Sequence, residues 1–202
     1  PGRWCLARGE AALIGLGEWT PDQPDYRGPG LTTATNILPR EDGAYGPFGS
    51  LTAFSGALPT ACLGLGAGKS NAGDYLTFAG TATRLYRLLS DNTWSDVSNP
   101  TLYSLTGDDR WQFTVFGNTF VAAGGVDEDM QAYDLTSSTQ FASLAATAPR
   151  ARYVAVIGNF LMVANTWDGS DGYLRNRVWW SAIGNASSWP TPGSGDADTV
   201  QS

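Results

Sequence analysis

The sequence predicts an all-β fold of at least three four-stranded, propeller-like blades behind an extended N-terminal arm. Three observations lead there. Thr, Val and a 12% share of aromatic residues alternate with 25 Gly and 11 Pro, the profile of short strands between frequent turns. A hairpin pattern recurs in the second half of the chain, and aromatic residues return at a near-constant spacing between positions 86 and 189.

The hairpin repeat is the firmest of these. Trp111-Gln112-Phe113-Thr114-Val115-Phe116-Gly117-Asn118 aligns with Arg152-Tyr153-Val154-Ala155-Val156-Ile157-Gly158-Asn159 at an offset of 41 residues. Each run ends in a Gly-Asn turn and is followed by a second β-rich run, Thr119–Ala123 or Phe160–Ala164, so each unit opens as a hairpin. A third strand returns through Arg84–Leu88, Gln131–Leu135 and Arg177–Ser181, keyed by Tyr86, Tyr133 and Trp180 at intervals of 47. A fourth element carries Trp94, Phe141 and Trp189, within Thr93–Val97, Gln140–Leu144 and Ser187–Pro190. These six aromatics are the expected blade-core residues, because a large ring at a fixed place can fill the space between neighbouring twisted sheets.

In the first copy the opening strands are expected at Ala61–Leu65 and Tyr75–Phe78, joined by a longer turn. The third copy inserts Thr166–Gly172 between its second and third strands, expected as a surface loop. The resulting layout is an arm at 1–50, blades at about 51–100, 101–148 and 149–190, and a polar segment at 191–202. Three blades fall short of the roughly four to eight of a closed propeller. Further blades beyond Ser202 or neighbouring subunits are therefore expected to cover the open faces, and the missing initiator Met is read as a sign of a processed, renumbered or partial chain.

Composition excludes several function classes. With 42% hydrophobic and 15% charged residues, the chain is ordered and long enough, at 202 residues, for one sizeable core. A net charge of −7 with Lys69 as the single lysine argues against tight phosphate binding. The absence of histidine removes the commonest general base and metal ligand, and Cys5 and Cys62 form no zinc or disulfide framework. The apolar run 11–17 is far shorter than the roughly 18 residues of a membrane span.

Residues 1–50 lack the repeat and are rich in turn signals, with Trp19, Tyr26, Leu31, Ile37, Leu38, Tyr45 and Phe48 as apolar anchors. Trp19, Tyr26, Ile37, Tyr45 and Phe48 are the expected arm or subunit contacts. Here a resemblance enters. The run Glu18-Trp19-Thr20-Pro21-Asp22-Gln23-Pro24-Asp25, then Pro29-Gly30-Leu31, Asn36-Ile37-Leu38-Pro39 and Gly43-Ala44-Tyr45-Gly46-Pro47-Phe48 before Leu51, resembles the opening of propeller-bearing tail proteins of tailed bacteriophages. Pro149–Tyr153 and Asn176–Ser181 are similar to the same group. The resemblance implies a hub, nozzle or head-to-tail connecting protein, located in the virion tail. Such a protein forms a ring of its own copies against neighbouring tail or portal and adaptor proteins, while DNA passes through without specific binding.

Several motifs mimic sites. Gly64-Leu65-Gly66-Ala67-Gly68-Lys69-Ser70 looks like a phosphate loop, but the spacing would need glycine where Leu63 stands. Asp127, Glu128 and Asp129 are the candidate carboxylates of a hydrolase, but they cluster in one turn, where a solvated acidic loop is the ordinary reading. Asp168-Gly169-Ser170-Asp171-Gly172 lacks the alternating oxygen ligands of a known calcium loop. No catalytic residue, cofactor or metal site is expected. The alternative function is a carbohydrate- or surface-binding propeller that stacks sugars on Trp167.

Overall fold

A computed structural model describes residues 17–22, 30–40, 45–190 and 197–201. The chain divides into two units, 1–52 and 53–202. In the first, where an extended arm was expected, strands β1 (Ile37–Pro39) and β2 (Tyr45–Pro47) pair antiparallel as a short ribbon. Trp19 and Leu31 add a single parallel bridge.

The second unit holds three four-stranded sheets. Strands β3 (Gly64–Lys69), β4 (Tyr75–Gly80), β5 (Leu85–Leu88) and β6 (Trp94–Asp96) form the first. The second comprises β7 (Gln112–Phe116), β8 (Thr119–Ala123), β9 (Gln131–Asp134) and β10 (Ala142–Ser143), and the third β11 (Arg150–Ile157), β12 (Phe160–Asp168), β13 (Gly172–Trp180) and β14 (Asp198–Gln201). Each is an antiparallel meander with strands in chain order, and β7 lies beside both β3 and β11. The Gly117-Asn118 and Gly158-Asn159 turns occur as expected, with each Gly at φ 60°, the left-handed conformation that two-residue hairpin loops use.

Three expectations are corrected. The opening strand of the first sheet is Gly64–Lys69, not Ala61–Leu65, so the phosphate-loop mimic is a β-strand. It escapes a search for β-formers because its glycines serve close approach: a Cβ on Gly66 would lie 2.7 Å from Cβ of Phe113 in the next sheet. Thr166–Gly172 is not a loop inserted between strands. β12 and β13 run on through it to a tight turn, with a bulge at Asn165 (φ 56°) absorbing the register shift. Finally, the fourth strand of the third sheet is β14, drawn from the expected polar tail, while Trp189 is in the core with its Nε1 donating to the Ala186 carbonyl at 2.9 Å.

Strand alternation explains the packing. All of Phe120, Val121, Ala122 and Ala123 on β8 are fully buried, because β8 has a core on each face. Phe120 and Ala122 face a core with Phe78, Leu85, Trp111, Tyr133 and Phe141, between the first and second sheets. Val121 and Ala123 face another with Met130, Leu161, Val163, Trp179 and Trp189, between the second and third. Full burial of side chains such as Phe120 or Leu161 contributes about 1.5–3 kcal/mol each. The first core is mostly rings: Phe78 stacks on Phe120 at 4.5 Å and meets Tyr133 edge-on at 5.0 Å.

The third-strand aromatics also need correction. Tyr86 stands opposite Ala79, Tyr133 opposite Phe120 and Trp180 opposite Met162. Tyr133 and Trp179 each pack toward the preceding sheet, so Trp180, one residue on, points to the other face. Equal spacing counted through unequal loops slipped by one residue, and such a slip reverses the face. Tyr86, Tyr133, Phe141 and Trp189 are buried, whereas Trp94 and Trp180 are half-buried.

Trp111 joins the first two sheets. Its backbone N–H donates to the Leu63 carbonyl at 2.9 Å and its indole N–H to the Thr81 carbonyl at 2.8 Å. Its ring occupies the space that side chains on Gly80 and Gly124 would take. Replacing Trp111 by Ala leaves a large cavity and an unpaired Thr81 carbonyl, so it is expected to destabilise the protein by about 3–5 kcal/mol in urea denaturation.

Candidate interaction surfaces

In the first unit, the structure brings Trp19 and Tyr45 together: the Trp19 backbone N–H donates to the Tyr45 hydroxyl at 3.1 Å. Ile37 stands opposite Pro47 in the ribbon, and the Phe48 N–H donates to the Asn36 carbonyl at 2.8 Å. Trp19 and Phe48 are exposed. Tyr26 lies outside the described residues.

The acidic residues of the second unit mostly hold the chain in shape. Asp127, Glu128 and Asp129 border an open cleft of about 340 Å³ shared with Asn99, Tyr103 and Arg150. Glu128 accepts from the Ser104 N–H, and Asp129 pairs with Arg150 Nε at 2.7 Å. Burial pushes the Glu128 carboxyl above its ordinary range, and burial likewise pushes the Tyr103 phenol up to about 12. A glycosidase sets two carboxylates on either side of a sugar; here one is tied to a guanidinium and another to a backbone amide. Elsewhere Asp134 accepts from the Thr136 hydroxyl and from the Thr136 and Ser137 N–H groups, which holds its carboxyl well below the usual range and closes the turn after β9.

The Asp168–Gly172 turn carries its own cation. Arg177, buried on β13, reaches both Asp168 and Asp171, the latter at 2.6 Å, while Asp168 also accepts from the Ser170 and Asp171 N–H groups. Both carboxylates are thereby directed at a guanidinium rather than at open space. Among the described residues, no group of three or more Cys, Asp or Glu is arranged to hold a metal ion. Trp167, proposed as a sugar platform on a loop, sits on β12 with the Arg150 guanidinium 4.6 Å over its ring.

Among the described residues, two partly exposed faces lie at the ends of the sheet stack, each with an aspartate on its fourth strand, Asp96 opposite Tyr86 and Asp198 opposite Trp180. The open face of the third sheet presents Tyr153, Ala155, Ile157, Phe160, Met162, Val178, Trp180 and Val200, with Tyr153, Ile157 and Val200 more than half exposed. The outer face of the first sheet presents Leu65 and Tyr75, 65% and 75% exposed. Residues 55–60 lie over the Trp94 side of that face, where Trp94 Nε1 donates to the Gly56 carbonyl at 3.0 Å. The sequence does carry a signal for the open face of the third sheet: Tyr153-Val154-Ala155-Val156-Ile157 is apolar at every position, the mark of a strand meant for burial on both sides. Among the described residues no helix is long and apolar enough to cross a membrane.

Two outcomes follow. Arg177→Met leaves the half-buried Asp168 carboxylate without its cation and is expected to cost about 3 kcal/mol in thermal or urea unfolding. Because its folded-state pKa is raised, Glu128 favours folding less as pH rises through that pKa. Glu128→Gln keeps the acceptor for Ser104, so it is expected to stabilise the protein at neutral pH and to leave stability unchanged below the ordinary Glu range, as followed by melting temperature against pH. The chain matches no protein-family model, and comparison with curated proteins gives no match.

Proposed function

We propose that this chain is a structural component of a tailed-phage virion, in which the three sheets are consecutive blades of a β-propeller. It acts as a ring-forming hub, nozzle or connector around the DNA ejection channel, without catalysis, cofactor or metal. The observation that carries the blade reading is a single interface used twice: four-stranded meanders stacked face to face, with their first strands side by side. The phage assignment rests on the resemblance of the segments at 18–51, 149–153 and 176–181 to propeller-bearing tail proteins.

Physical chemistry agrees with a passive role. A net charge of −7 disfavours adhesion to the phosphate backbone, so DNA slides past without a sequence-independent grip. Neighbouring tail, portal or adaptor proteins would meet the first unit through Trp19 and Phe48, which are exposed.

Mass spectrometry of purified particles of the encoding virus, with antibody labelling seen by electron microscopy, tests this reading. The protein is expected in stoichiometric amount with label confined to the tail. Its absence from mature particles would overturn the proposal.

A further inference from the structure

We infer that the protein binds an ordered water molecule in its interior, between the second and third sheets, held by Arg152 and Asn165 of the third sheet and by Asp109.

Strand register places the site. Val156 stands opposite Leu161 and Val154 opposite Val163, and both pairs pack into the core between the second and third sheets. Ala151 pairs with Thr166 and Tyr153 with Ala164, so Arg152 stands opposite Asn165, two residues along on the same face as Val154 and Val163. At this rung the inward face turns from apolar to polar. The chain on the other side is close by: the Gly125 N–H donates to the Ala151 carbonyl at 3.2 Å, and Asp109 lies against Gly125, where a Cβ would meet Asp109 Oδ2 at 2.5 Å. Asp109 is buried, and Arg152 Nη2 reaches its Oδ1 at 2.9 Å.

Polar atoms here are short of partners. Among the described residues, five buried side-chain polar atoms make no hydrogen bond: Asp109 Oδ1, Arg152 Nε, Asn165 Oδ1, Thr166 Oγ1 and Trp179 Nε1. All five belong to this corner of the molecule, since Thr166 follows Asn165 and Trp179 stands opposite Val163 on the inward face. Asp109 Oδ1 has the charge of Arg152 beside it but no aligned N–H. Thr166 is wholly buried, and Asp109 and Trp179 nearly so, which makes an unmade hydrogen bond costly. Arg177 shares the inward face without adding to the shortage, because Asp168 and Asp171 take up its guanidinium.

The kind of occupant follows from the donors and acceptors. Arg152 and Trp179 offer N–H groups, Asp109 and Asn165 offer oxygens, and the Thr166 hydroxyl can do either. A cation would be repelled by the Arg152 guanidinium and an anion by the Asp109 carboxylate. Water both gives and takes, and a buried water makes about three hydrogen bonds to groups of this kind. It accepts from Arg152 Nε–H and donates to Asn165 Oδ1 and Asp109 Oδ1. Asp109 and Arg152 also border an open cleft of about 220 Å³, shared with Arg110 and Gln112, which gives the water a path in.

The test is a high-resolution crystal structure of the full chain, together with heteronuclear NMR of the Arg152 Nε–H, identified by its loss in Arg152→Lys. Density is expected within about 3.2 Å of both Arg152 Nε and Asn165 Oδ1, and a cross-peak to water is expected at the Arg152 Nε–H. Asn165→Gly keeps the φ of 56° accessible while removing one acceptor, and the Arg152 Nε–H is expected to exchange with solvent about tenfold faster, the weight of one hydrogen bond. Direct donation from Arg152 Nε to Asn165 Oδ1 in the crystal, or no density between them, would overturn the inference. So would a missing water cross-peak, or exchange unchanged by Asn165→Gly. The wild-type measurements decide the matter even if Asn165→Gly fails to fold.

Discussion

The approach of the first sheet to the second depends on side chains that are absent. Gly66 and Gly68 on β3 leave room for Phe113, Phe120 and Leu135, and Gly80 and Gly124 leave room for the Trp111 ring. Rings then fill the space, so Phe78, Phe120, Tyr133 and Phe141 lie within stacking distance of one another. The glycines cost strand propensity, but the aromatic surface they admit outweighs it, since each buried ring contributes more than a glycine forfeits. The second interface repeats the stacking with other residues: Ala123 and Ala132 of the second sheet supply small side chains, and Trp179 of the third sheet and Trp189 beyond it the large ones.

Hairpins with tight Gly-Asn turns were legible, because turn chemistry and alternation are local properties of the chain. Of the fourth-element aromatics, Phe141 and Trp189 reach a core toward the preceding sheet, whereas Trp94 is half-buried on the outer face of the first sheet against Ser55 and Gly56. What escaped was set by tertiary approach. β3 is a strand because another sheet needs its glycines, and no local preference marks it. Trp180 was taken for a core ring because its spacing suited, although the bulge at Asn165 and the longer hairpin had shifted the count. The apolar end faces were only half legible: the uninterrupted apolar run of β11 showed that both sides of the strand seek cover, but which residues share a row required the register.

Carboxylates in this molecule work largely as turn fasteners. Asp91 accepts from the N–H and hydroxyl of Thr93, Asp134 does the same with Thr136, and Asp168 gathers the amides of its own turn while engaging Arg177. Asp109, buried just before the second sheet, pairs at 2.9 Å with Arg152 of the third, linking neighbouring sheets by charge. Much of the acidic composition thus serves the fold, because short-looped β-meanders need many side-chain acceptors to close their turns.

The strictly sequential strand order has a bearing on synthesis. A meander pairs each strand with the one just made, so every sheet can assemble from local segments soon after its residues leave the ribosome. Burial lags behind pairing. The Phe78 face of the first sheet stays wet until β7 and β8 arrive, and the Val121 face of the second until β11 and β12 follow. The nascent protein therefore always presents one uncovered apolar sheet at its growing end, and the rate of translation sets how long each remains available to a chaperone or to a wrong partner.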